Sequence, residues 1–123
     1  MSLRYTITRE DSVIRVRTEG VFDFISAYEM WEEIAATCNS QDCYRVLGVS
    51  NLDKPIATID AYDHLEMLKS VGIDTRHRIA WVAGHPALLD NLLLAQTVVR
   101  NRSEINLRIF ENMKPAELWL AES

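Results

Sequence analysis

A chain of 123 residues, 48% hydrophobic and 25% charged, has the size and balance of one soluble domain (1–123) built round one core. Its formal charge of −5 argues against a general nucleic-acid binder, and no run reaches the roughly 18 apolar residues of a membrane span. Met1-Ser2-Leu3-Arg4 has no apolar stretch behind it, which predicts no secretory signal and a cytoplasmic protein.

Leu3 to Thr8 and Val13 to Glu19 alternate strongly across Arg9-Glu10-Asp11-Ser12, the pattern of a β-hairpin closed by Gly20. After Val21-Phe22-Asp23, one helical stripe carries Phe24, Ala27, Tyr28, Trp31, Ile34, Ala35 and Cys38. Asn39-Ser40-Gln41-Asp42 reads as a turn, and Tyr44 to Ser50 as a buried strand. Beyond the break at Pro55, Thr58 or Asp60 is placed to cap a second helix that Gly72 stops. Arg78 to Ala83 is the next buried strand. Pro86 suits a first helical position and opens the most apolar helix, which Arg100 and Arg102 close. Asn106 to Phe110 is the last strand, and Pro115 opens a short terminal helix in which Ala116, Trp119 and Leu120 dock.

The order ββαβαβαβα predicts an α/β fold: a five-stranded mixed sheet, hairpin first and parallel strands after, wound in sequence with its helices on one face. Val46, Gly48, Ile79, Trp81, Leu107 and Ile109 then face the helices. The alternate positions, Arg45, Leu47, Val49, Arg78, Ala80, Val82, Arg108 and Phe110, form an open face. Arg45, Arg78 and Arg108 with Leu47 and Val82 are therefore candidate contacts for a protein partner or a second copy.

The opening hairpin, the helix after Gly20-Val21-Phe22, the strands Arg45–Ser50 and Ile79–Ala83, and the closing Arg108-Ile109-Phe110 with Ala116-Glu117-Leu118-Trp119-Leu120 resemble the SpoIIAA-like family, whose fold is shared with STAS domains. The resemblance implies that βα winding and non-enzymatic work: partner binding or, in related folds, carriage of an apolar ligand. Anti-sigma-factor antagonists of that family open the second helix with an Asp-Ser pair whose serine is phosphorylated. The matching pair here is Asp60-Ala61, so the resemblance implies a member without the phosphoswitch; Thr58, nearby, reads as a cap.

Ligands of open α/β sheets bind outside the carboxyl ends of the strands. Phe22, Asp23, Ser50, Asn51, Asp53 and His85 gather there, with Glu111 and Asn112, as a candidate crevice. His85 with Ser50 or Asp53 is the sole arrangement suggesting acid–base or nucleophilic work, and no nucleophile motif or phosphate loop supports it. Glu29/Glu33 and Asp63/Glu66 read as solvated helix faces and His77 as a loop residue. Cys38 and Cys43 read as free thiols, and no metal site or cofactor is expected. Arg45, Arg76, Arg78, Arg100 and Arg102 at one edge oppose Asp23, Asp53, Asp60 and Glu111 at the other, either as a docking edge or as complements to helix dipoles.

Three functions follow, in order of expectation. The first is a non-catalytic protein-interaction module. The second is a small carrier of an apolar or amphipathic ligand such as a lipid, entering beside Phe22, Phe24, Tyr28, Trp31 and Leu52. The third is a hydrolase-like enzyme using His85.

Overall fold

The computed structural model describes residues 3–122, so Met1 and Ser2 of the segment read for a signal lie outside it. Its elements are β1 (Leu3–Glu10), β2 (Val13–Gly20), α1 (Phe24–Gln41), β3 (Arg45–Leu52), α2 (Thr58–Ser70), β4 (Arg78–Ala83), a 3-10 turn (Pro86–Leu88), α3 (Leu89–Arg102), β5 (Asn106–Phe110) and α4 (Met113–Ala121). The strands lie in chain order, β1 antiparallel to β2 and every later pair parallel. That is the expected five-stranded mixed sheet.

Local chemistry sets the boundaries. The hairpin closes on Asp11-Ser12 alone, with Asp11 in the left-handed region (φ 56), which aspartate tolerates. The Asp23 carboxylate accepts a hydrogen bond from the Ser26 N–H (2.8 Å) and starts α1. Asn39, Ser40 and Gln41 join that helix rather than the turn. It ends at Asp42 (φ 50), where the Cys43 N–H reaches back to the Cys38 carbonyl. Thr58 caps nothing: Ala57 holds the capping position without a side-chain bond, and Thr58 is already helical. Pro86 opens the 3-10 turn, one step before α3. Pro115 lies two residues inside α4, still in the first turn where a missing N–H is harmless.

The helices on the inner face enclose one continuous core. Ile14, Val16, Val46, Ile79, Trp81, Leu107 and Ile109 meet Ala27, Met30, Trp31 and Ile34 of α1, Leu65 and Leu68 of α2, and Leu92, Ala95 and Val99 of α3. α1 lies over β1 and β2, α3 over β5, and α2 packs against both helices. The Trp31 and Trp81 rings meet at 5.2 Å in the middle of this layer. A Cβ at Gly48 would overlap the six-membered ring of Trp81, so the glycine lets the indole lie across β3. Cys38 and Cys43 are free and buried, and burial pushes the Cys38 thiol up to about 11.

One expectation fails here. The helices do not all share a face, because α4 crosses to the outer side and covers Leu47, Ala80 and Val82 with Ala116 and Leu120. The winding rule constrains a helix that connects two parallel strands. No further strand follows α4, so that rule does not fix its side. The apolar outer positions of β3 and β4 decide it.

Candidate functional site at the carboxyl ends of the strands

Every strand from β2 to β5 ends at one edge, and α1 and α2 begin there. The six crevice residues lie along this edge but divide into separate roles. Asp23 is structural: it accepts from the Ser26 N–H and, through its other oxygen, from the Leu3 N–H (3.2 Å), bonds that hold its carboxyl below the usual range. Ser50 is buried beneath the edge, and its hydroxyl accepts a hydrogen bond from the Trp81 indole (2.7 Å). His85 is exposed, its Nδ1 accepting from the Ala87 N–H (3.1 Å) as the cap of its own turn. Among the described residues no hydrogen bond joins His85 to Ser50 or Asp53, so the arrangement read for acid–base or nucleophilic chemistry does not assemble.

Asn51, Asp53 and His85 do share a shallow cleft, floored by Gly84. The Gly84 N–H donates to the Ser50 carbonyl (2.8 Å), and a Cβ on Gly84 would overlap that carbonyl and the Asn51 side chain. Phe22 turns inward instead. Its ring stacks on His64 at 5.6 Å, tying the entrance of α1 to the second turn of α2.

The outer-face candidates are redistributed by α4. Leu47 and Val82 lie buried under it and present no contact surface. Arg45 donates to the Leu120 carbonyl, and Arg78 donates twice to the Trp119 carbonyl (2.7 and 3.2 Å) with its guanidinium 3.9 Å from the centre of the Trp119 ring. Both arginines thus satisfy the open carbonyl end of a helix. Arg15 adds an ion pair to Glu117 at 3.1 Å. Arg76 pairs with Asp74, whose carboxyl is held down to about 2 chiefly by that hydrogen bond. Of the outer-face candidates Arg45, Leu47, Arg78, Val82 and Arg108, only Arg108 stays exposed, over the Phe110 ring. For Arg45, Arg76 and Arg78 the charged edge is internal fastening.

Two features escape a reading of the sequence. The first is a set of exposed apolar side chains at neighbouring helix starts: Phe24 and Ile25 in the first turn of α1, Ile59 and Tyr62 in the first two turns of α2, with Ile25 and Ile59 keeping 74% and 69% of their surface in solvent. Ile25 falls off the apolar stripe of its helix, a signal that was available. The second is histidine burial. His77 is a buried side chain edge-on to Tyr44, not a simple loop residue, and its Nε2 has no partner among the described residues. His64 is half-buried, and its Nδ1 lies 2.6 Å from the Asp60 carbonyl. Burial lowers the pKa of both rings. The described residues hold no cluster of three or more histidine, cysteine or acidic side chains fit for a metal.

No protein-family model and no curated protein sequence matches the chain. Among solved structures, an anti-sigma factor antagonist from Mycobacterium paratuberculosis superposes with a TM-score of 0.63 at 13% identity, over 98% of this chain and 95% of that one. The chain has the SpoIIAA-like fold. Within it, Asp60-Ala61 lies in the first turn of α2, and Ala61 is fully buried against the core. No described helix is long and apolar enough to cross a membrane.

Proposed function

We propose that residues 1–123 form a single cytoplasmic, non-catalytic regulatory module that binds a protein partner at the amino ends of α1 and α2. The carrying observation is the set of Phe24, Ile25, Ile59 and Tyr62, large apolar side chains left in solvent where two adjacent helices begin. Asp60 and Asp63 of α2 and Glu29 of α1 lie in the same turns, so the partner presents an apolar centre with a basic rim. The likeness to an anti-sigma factor antagonist makes an anti-sigma factor the partner class of choice. Binding is constitutive with respect to phosphorylation at position 61, where alanine is buried and carries no hydroxyl.

Calorimetric titration of the chain against each anti-sigma factor encoded in its own genome tests this reading. One of them binds, and Ile25→Asp with Ile59→Asp abolishes the heat while leaving the melting temperature within a few degrees. Retained binding in the doubly substituted chain sinks the assignment of the surface. Light scattering over a concentration series gives the self-associated alternative: a dimer lost in the same variant places a second copy there.

Carriage of a lipid has weaker support. The cavity beside Phe22 and Trp31 measures about 50 Å³. Pockets for drug-sized ligands run to roughly 300–1,000 Å³.

A further inference from the structure

The inner layer contains a cavity. Between the Trp31–Trp81 pair, α2 and α3 lies that cavity of about 50 Å³, walled by Met30, Ile56, Leu92, Ala95, Leu107 and Ile109. Its volume is several times what one water needs, and its walls are almost wholly apolar. Phe22, Leu52 and His64, each half-buried, stand at its rim toward the carboxyl edge.

Two polar groups on this wall have unused capacity. The Ser50 hydroxyl accepts from the Trp81 indole, and its own hydrogen has no protein acceptor among the described residues. A carbonyl can only accept, so at 2.6 Å from the Asp60 carbonyl the His64 Nδ1 carries the proton and Nε2 keeps its lone pair. No protein donor among the described residues reaches Nε2. An otherwise apolar pocket is therefore lined by one free donor at Ser50, with an acceptor on the His64 ring at its rim.

We propose that this cavity is a binding site for a small neutral amphipathic molecule of about five heavy atoms, of the short-chain alcohol class, with its hydroxyl toward Ser50 and His64 and its alkyl end against the tryptophan pair, Leu92 and Ala95. A charged head is excluded by the apolar walls, and an acyl chain by the volume. So small a ligand binds weakly, and the site reads concentrations in the micromolar to millimolar range. The site goes beyond the docking surface, and neither reading depends on the other.

The probe is 1-butanol, and the readout is the Trp81 indole N–H resonance, which reports the bond to Ser50. Saturable displacement of that resonance with a Kd on the order of 1 mM is expected. Ala95→Leu fills the void, and binding weakens at least about tenfold, a difference of about 1.4 kcal/mol. If circular dichroism shows Ala95→Leu unfolded, Leu107→Phe takes its place. Ser50→Ala weakens 1-butanol while leaving butane-saturated buffer as effective a ligand as before. No saturation by about 50 mM, equal affinity in the filled variant, or equal weakening of butanol and butane in Ser50→Ala overturns the assignment.

Discussion

The two faces of the sheet are covered by different physics. Over the inner face three helices bury a continuous set of large side chains around Trp31 and Trp81. Over the outer face α4 contributes only Ala116 and Leu120 to the buried set, yet arginines of three successive strands, Arg15, Arg45 and Arg78, bond to it. A nine-residue helix is too short to persist in water alone. Its place therefore rests on tertiary contacts, apolar on one side and charge-to-carbonyl at its end. The inner layer is a core that fastens itself, and the outer helix is a part held by the strands.

The sharpest way to break the comparison is at Gly48. Gly48→Ala drives a methyl into the Trp81 ring, a rigid buried neighbour, and should destabilise the whole chain by about 3 kcal/mol in urea unfolding. A loss below about 0.5 kcal/mol would mean that the indole has room to move. Leu120→Ala should cost about 2–3 kcal/mol. Its signature is regional: amides of α4 lose hydrogen-exchange protection while those of α1 and α3 keep theirs. Equal loss across both faces would show that the two layers form one cooperative unit.

Arg78→Met should cost about 1–2 kcal/mol by freeing the Trp119 carbonyl, a bond to a charged donor on a side chain mostly out of water. The smallest effect is in pH. Burial lowers the pKa of His64 and His77, against the pull of Asp60 and Asp63 on the first and Asp74 on the second. The unfolded chain thus takes up these protons first, and stability falls as pH drops below the ordinary histidine value of about 6.5 toward the lowered folded values. His64→Gln with His77→Gln should flatten the urea midpoint between about pH 7.5 and 5.5. Protection of α4 should not change in that window, since arginine stays charged throughout. Asp74, held down to about 2, adds a separate loss only below the usual carboxylate range, as pH falls through that value.

Legibility in the sequence followed the same division. The inner face was readable because the short apolar runs of β3, β4 and β5 are separated by period-3.6 stripes in the helices that need a sheet to cover. The side taken by α4 was not, since amphipathicity says that a helix docks but not on which sheet face. That one gap turned Leu47 and Val82 from surface into core and Arg45 and Arg78 from docking residues into caps. In the crevice, the inward turn of Ser50 follows from the same alternation that turns Val46 and Gly48 inward, but its bond to the Trp81 indole is shown only by packing. Ile25 falls off the apolar stripe of α1, but a lone off-stripe residue does not say whether a surface is free or covered. The exposure of Ile25 and Ile59 is a property of where α1 and α2 begin.

The antiparallel direction of β1 has a practical consequence. Leu3 pairs with Gly20 and bonds Asp23, so the described chain enters beside the opening turn of α1, next to its exposed apolar side chains. Glu122 lies 3.9 Å from Arg78, at the far end of the strands, about 25 Å away for an eight-residue strand. A fluorescent protein fused ahead of Leu3 would crowd the docking surface, whereas the same label placed after Glu122 would leave it clear.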